Sequence, residues 1–100
     1  MPIILCYDVS DKEPEFRAAL LELGYRAQIA GKRCKFIYFP KGTLYHASKT
    51  PTQARTDSQT ICTRLQIKLQ RCISTHLDPG NFAAVCGEEI GGHALKNLLD

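Results

Sequence analysis

The chain has no apolar run near the roughly 18–20 residues that a membrane span needs. Its longest early run is Ile3-Ile4-Leu5-Cys6-Tyr7, with no basic residue before it and Asp8 after it. That is not the pattern of a secretory leader, so a cytoplasmic chain without a membrane partner is expected. Its five cysteines, Cys6, Cys34, Cys62, Cys72 and Cys86, include no Cys-x-x-Cys pair, and their number is odd. A disulfide framework or zinc knuckle would look different, and free thiols packed as small apolar groups are expected instead. There is no Gly-rich phosphate loop: Gly42 is isolated, and no Lys-Ser/Thr follows Gly91-Gly92. There is no nucleophile elbow. His46, His76 and His93 are scattered, and no His or Cys cluster has metal-ligand spacing.

What is present is one domain over residues 1–100. Apolar residues make up 44% and charged residues 23%, an ordinary globular balance that excludes wholesale disorder. The net charge of +3 hides a segregation. Residues 1–25 carry two basic and five acidic side chains, net −3. Residues 26–71 carry ten basic side chains against Asp57 alone, net +9. Residues 72–100 carry one basic and four acidic side chains, net −3. A basic field of this kind suits a polyanion such as RNA or DNA. Two duller readings compete: the basic middle pairs with the acidic ends, within a chain or across a homodimer, or it only solvates outward faces.

Residues 1–9 read as a strand, a nearly continuous apolar run closing on Asp8. Ser10-Asp11-Lys12-Glu13 has the form of a capping box, and Pro14 suits a first helical turn. Phe16, Ala19, Leu20 and Leu23 then recur at helical spacing up to Gly24, which predicts a helix over 11–23. A short strand is expected over 25–29 and an aromatic one over 35–39, ended by Pro40. Residues 40–49 read as a polar loop. Thr50-Pro51-Thr52-Gln53 is a second capping signature, opening a helix whose buried face carries Ala54, Ile61 and Leu65. Arg55 and Arg64 on that helix are candidate phosphate contacts. Residues 69–77 alternate as a strand, 78–81 read as a turn, and 82–86 as a final short strand. A short helix over 93–99 is the last candidate.

The resulting β-α-β-β-α-β order predicts an α+β, ferredoxin-like fold with two helices on one face of an antiparallel sheet. The other face is left for water or a partner, and a homodimer would bury it. Phe36 or Tyr38 is a candidate for base stacking, with core or dimer packing as the competing reading.

The first strand ends Tyr7-Asp8-Val9-Ser10-Asp11 and leads into a capped helix. In this, and in element order over about residues 1–77, the chain resembles the small CRISPR-adaptation endonuclease-like proteins and their VapD-like and SinR-like relatives. The resemblance implies a homodimer in which Asp8 of each copy lies near the axis and serves Mg²⁺-dependent cleavage of nucleic acid. It makes Asp8 both catalytic residue and metal ligand, since facing carboxylates form an oxygen site for a hard cation. Ser10 and Asp11 would be neighbouring ligands, and Arg33 and Lys35 would hold phosphate oxygens. The chain departs from these relatives in having only Arg17 early in its first helix, after Glu13 and Glu15. The competing role for Asp8 is a turn carboxylate accepting backbone N–H bonds. The rival functional classes are a non-catalytic homodimerisation module with an open sheet face and a small-ligand regulatory domain.

Overall fold

The computed structural model describes residues 1–31 and 35–78. Within them the chain runs β1 (Ile3–Val9), α1 (Glu13–Glu22), β2 (Gln28–Ala30), β3 (Phe36–Tyr38), β4 (Thr43–His46), α2 (Pro51–Leu65) and β5 (Leu69–His76). β1 is the centre of a three-stranded antiparallel sheet of order β4-β1-β5. β4 pairs with it from Ile3↔His46 to Cys6↔Thr43. β5 pairs from Ile3↔His76 to Val9↔Leu69, with a register shift between Asp8 and Val9. β2 and β3 form a second, two-stranded ladder. Arg26 links this part of the chain to β4 through an isolated bridge with Tyr45.

Side chains of a strand alternate between its faces. Ile3, Leu5 and Tyr7 are accordingly buried, whereas Ile4 and Cys6 are half-buried and Asp8 is exposed. The buried face of β1 meets Phe16 and Leu20 from α1, Leu44 from β4, and Ala54, Ile61 and Cys62 from α2, with Tyr25 from the α1–β2 connection. The large aliphatic side chains and Phe16 each contribute about 1.5–3 kcal/mol by leaving water. Ser58 is the buried polar residue of α2, and its hydroxyl donates to the Ala54 carbonyl at 2.8 Å.

The α+β class stands, but the simple β-α-β-β-α-β order does not. A further strand, β4, occupies part of the expected polar loop 40–49. Pro40-Lys41-Gly42 and Ser48-Lys49-Thr50-Pro51 enclose it and read as loop, yet Thr43–His46 completes the β1 ladder and buries Leu44. Gly42 makes the approach possible: its φ is +79°, and a Cβ there would lie 3.0 Å from the Tyr7 carbonyl. The aromatic strand also differs from expectation. Phe36 and Tyr38 belong to the β2–β3 ladder and not to the main sheet. Phe39 comes back to β4, stacking on Tyr45 at 6.2 Å.

Thr50 caps α2 as predicted, accepting from the Gln53 N–H while the Gln53 side chain accepts from the Thr50 N–H. Ser10 does not cap α1. The N-cap is Lys12, in the left-handed region at φ 53° and with no side-chain cap bond. Ser10 Oγ instead accepts from Lys68 N at 2.9 Å, and Ser10 N donates to the Lys68 carbonyl at 3.0 Å, tying the end of β1 to the start of β5. The strand expected over 82–86 and the helix expected over 93–99 lie outside the described residues.

Candidate functional site

Asp8 stands at the end of β1 on the face away from the helices, opposite Arg71 of β5. Its carboxylate is half exposed and accepts from Arg71 Nη2 at 2.7 Å. The oxygens expected to assist it are engaged elsewhere. Asp11 Oδ1 accepts from Lys12 N at 2.8 Å, and Ser10 Oγ is held by Lys68 N. No group of three or more His, Cys, Asp or Glu side chains among the described residues could hold a metal ion. A hard cation such as Mg²⁺ takes oxygen ligands in near-octahedral geometry. Among the described residues the Asp8 carboxylate has the Arg71 guanidinium as its counter-charge, and Ser10 and Asp11 each spend an oxygen on a backbone N–H.

The predicted phosphate contacts are dispersed. Lys35 is exposed just before β3, its Nζ 5.7 Å from the Phe36 ring centroid. Arg33 lies outside the described residues. Arg55 and Arg64 are both exposed on α2. Their separation corresponds to about 2.5 helical turns at 3.6 residues per turn. They therefore flank the buried stripe of Ala54, Ser58, Ile61 and Cys62 from opposite sides. Arg55 lies on the side towards Cys72 of β5, whose thiol is raised by burial, with neighbouring Ser58 and Arg55 opposing the rise. Burial likewise pushes the Cys62 thiol up. Cys62 is the buried free thiol expected, and Cys6 and Cys72 are half-buried ones.

A polar cluster that sequence reasoning missed holds the start of α2. Asp57 accepts from the buried Tyr25 hydroxyl at 2.8 Å and is paired with Lys49. The Lys49 ammonium also sits 5.3 Å from the Tyr25 ring centroid. His46 meets the same ring edge-on at 4.9 Å. Its Nδ1 accepts from Ser48 N and Lys49 N, which leaves the ring proton on Nε2, 3.2 Å from the Leu23 carbonyl. A shallow cavity of about 190 Å³ beside the pair is lined by Lys49, Thr52, Gln53, Thr56 and Asp57. Asp57 was legible as the lone acid of the basic segment, but its partner Tyr25 lies more than two elements away in sequence. These contacts fix α2 against β4 and the α1–β2 connection.

No helix among the described residues is long and apolar enough to cross a membrane. Comparison of the chain with protein-family models, with curated proteins and with solved structures returns no significant match.

Proposed function

We propose that the chain is a nucleic-acid-associated protein acting as a homodimer on a ferredoxin-like frame. One observation carries the reading: among the described residues, most of the basic segment has no acidic partner. Only Arg71–Asp8 links it to the acidic N-terminal region, and Lys49–Asp57 closes within the segment, among the described residues. Arg26, Lys35, Lys41, Arg55, Arg64 and Lys68 are exposed and have no ion-pair partner among those residues. A field of unpaired cations attracts a phosphodiester backbone and releases its counterions. The frame is supported by the β4-β1-β5 order and by the Arg26–Tyr45 bridge, which sets a further segment beside β4. On this frame β2–β3 is an added hairpin.

Mg²⁺-dependent cleavage at Asp8 is the catalytic extension of this reading, and it requires Asp8 from two copies. The second reading is a non-catalytic interaction module. It is favoured by Ile73, which is 70% exposed on the face away from α1 and α2, beside half-buried Ile4 and Cys6. The test is incubation with labelled single- and double-stranded RNA and DNA, in Mg²⁺ or chelator, beside Asp8→Ala, with sedimentation to read the oligomer. Salt-sensitive binding by a dimer is expected. Cleavage that needs Mg²⁺ and disappears in Asp8→Ala establishes the catalytic extension. Binding without cleavage leaves a scaffold on nucleic acid, and a dimer that ignores every oligonucleotide leaves the interaction module.

A further inference from the structure

We infer that Arg71 is a phosphate-binding residue held in reserve by Asp8, so that a phosphodiester group and the Asp8 carboxylate compete for one guanidinium. The inference rests on the nucleic-acid reading above and names a residue and a regulatory contact within it.

Three observations lead to it. Asp8 and Arg71 are directly opposed on neighbouring strands, on the face away from α1 and α2. Both side chains remain open to solvent: Arg71 is 81% exposed and Asp8 50%. The backbone beneath them is fixed, because Ser10 and Lys68 exchange two hydrogen bonds at the same end of the β1–β5 pair. A hydrogen-bonded floor thus presents an exposed guanidinium, with exposed Lys68 just before the same strand.

The energetics favour exchange. An ion pair this open to water is stabilised weakly, by roughly 0–1 kcal/mol. A phosphate offers the guanidinium the same two-oxygen geometry that a carboxylate does. It also brings the counterion release that an intramolecular pair lacks. When Arg71 turns to a phosphate, Asp8 is left as a free carboxylate beside the bound strand. Occupancy of the phosphate site and availability of Asp8 are then linked, and linkage is reciprocal: whatever engages Asp8 favours binding at Arg71. In the unbound chain Arg71 is the counter-charge that Asp8 already has.

The experiment is a double-mutant cycle with Asp8→Asn, Arg71→Ala and the double variant. Binding of a labelled 20-nucleotide single strand and of the corresponding duplex is read by fluorescence anisotropy across a salt series. Circular dichroism checks that each variant retains its fold. Asp8→Asn is expected to tighten binding about two- to fivefold, the range that release of an exposed pair supplies. Arg71→Ala is expected to weaken it and to lower the salt slope by about one phosphate equivalent. In the Arg71→Ala background, Asp8→Asn should give no comparable gain. An equal gain in both backgrounds means that Asp8 acts only as a negative charge, and a gain in neither means that the pair plays no part. Either result overturns the inference while leaving the nucleic-acid reading intact. If the wild-type protein binds neither probe even at low salt, the nucleic-acid reading falls, and the inference falls with it.

Discussion

α1 begins after a left-handed Lys12 whose side chain makes no cap bond, whereas α2 begins after an extended Thr50 inside a closed capping box. Both starts follow a Ser/Thr-x-x-Glu/Gln pattern with a proline close by. The difference lies in competition. Thr50 precedes α2 outside any strand pairing among the described residues, and its hydroxyl takes the Gln53 N–H. Ser10 stands at the end of β1, where Lys68 offers a backbone N–H from the incoming strand, and the hydroxyl serves the sheet instead. A capping pattern is thus a local offer, and tertiary pairing decides whether it is taken. The two helices nevertheless share one device. Near each start a carboxylate accepts a core tyrosine hydroxyl, Glu13 from Tyr7 at 3.1 Å and Asp57 from Tyr25 at 2.8 Å.

The shared device is tested first, because its loss has the largest effect. Asp57→Ala leaves the Tyr25 hydroxyl and the Lys49 ammonium without their acceptor, both near the interior. It should cost about 2–3 kcal/mol in urea unfolding, as removal of one partner from a partly buried charged network does. Glu13→Ala removes a single longer bond and should cost about 1 kcal/mol. Equal losses would show that the two tethers are equivalent and that Lys49 adds nothing.

Alkali probes the same pair without mutation. Burial, reinforced by the neighbouring carboxylate, raises both phenols well above the usual value: Tyr25 through Asp57, Tyr7 through Glu13. A tyrosine free in the unfolded chain ionises near pH 10. Since the folded values are the higher ones, the unfolded state loses its protons first as pH rises. Stability is therefore fully present below about pH 10 and declines above it. Tyr25→Phe and Tyr7→Phe should each flatten part of that decline in denaturation measured between neutral and alkaline pH. A wild-type curve that stays flat through the tyrosine range would contradict the burial of these hydroxyls.

The caps themselves come next. Thr50→Ala should cost about 1 kcal/mol and fray the start of α2. Ser10→Ala should cost a comparable or smaller amount, about 0.5–1.5 kcal/mol, but through the β1–β5 junction. Hydrogen exchange separates the two. Amides of α2 lose protection in Thr50→Ala, while Lys68 N loses it in Ser10→Ala and α1 is unchanged.

These contrasts mark what the sequence could and could not convey. The elements with long periodic signals, β1, α1, α2 and β5, were legible nearly to their ends. β4 was hidden because only four residues, Thr43–His46, lie between turn-forming stretches, and their partner strand is remote in the chain. Asp8 was legible as an outward carboxylate closing an apolar strand. Its pairing with Arg71 was not, because that depends on the β1–β5 register and on a shift between Asp8 and Val9 that no local pattern encodes. The Tyr25–Asp57–Lys49 cluster was invisible for the same reason, since three separate segments contribute one group each.

The smallest expected effect sharpens the comparison most, because it asks why α1 tolerates an uncapped start. Lys12 and Gln66 are the two non-glycine residues with positive φ among those described, at 53° and 59°. The left-handed conformation costs a residue with a Cβ roughly 1 kcal/mol. Gln66 lies just past the end of α2, a position that glycine fills readily. Gln66→Gly should therefore gain a few tenths to about 1 kcal/mol, less the extra freedom that glycine gives the unfolded chain. Lys12 has the same strain but also a task. Its Nζ donates to the Leu65 carbonyl at 3.2 Å, placing a cation on the C-terminal end of α2, where the helix dipole favours it. Lys12→Gly would relieve the backbone and lose that contact, so its net effect should be near zero. Lys12→Asn keeps a residue suited to the left-handed region yet removes the cation, and should be the less stable of the two. Thermal melts rank the three variants: Gln66→Gly above wild type by a few degrees, Lys12→Gly level with it, Lys12→Asn below it. If Lys12→Gly gains as much as Gln66→Gly, the bond to Leu65 contributes nothing. The start of α1 would then be strained without return, not exchanged for a cap on its neighbour.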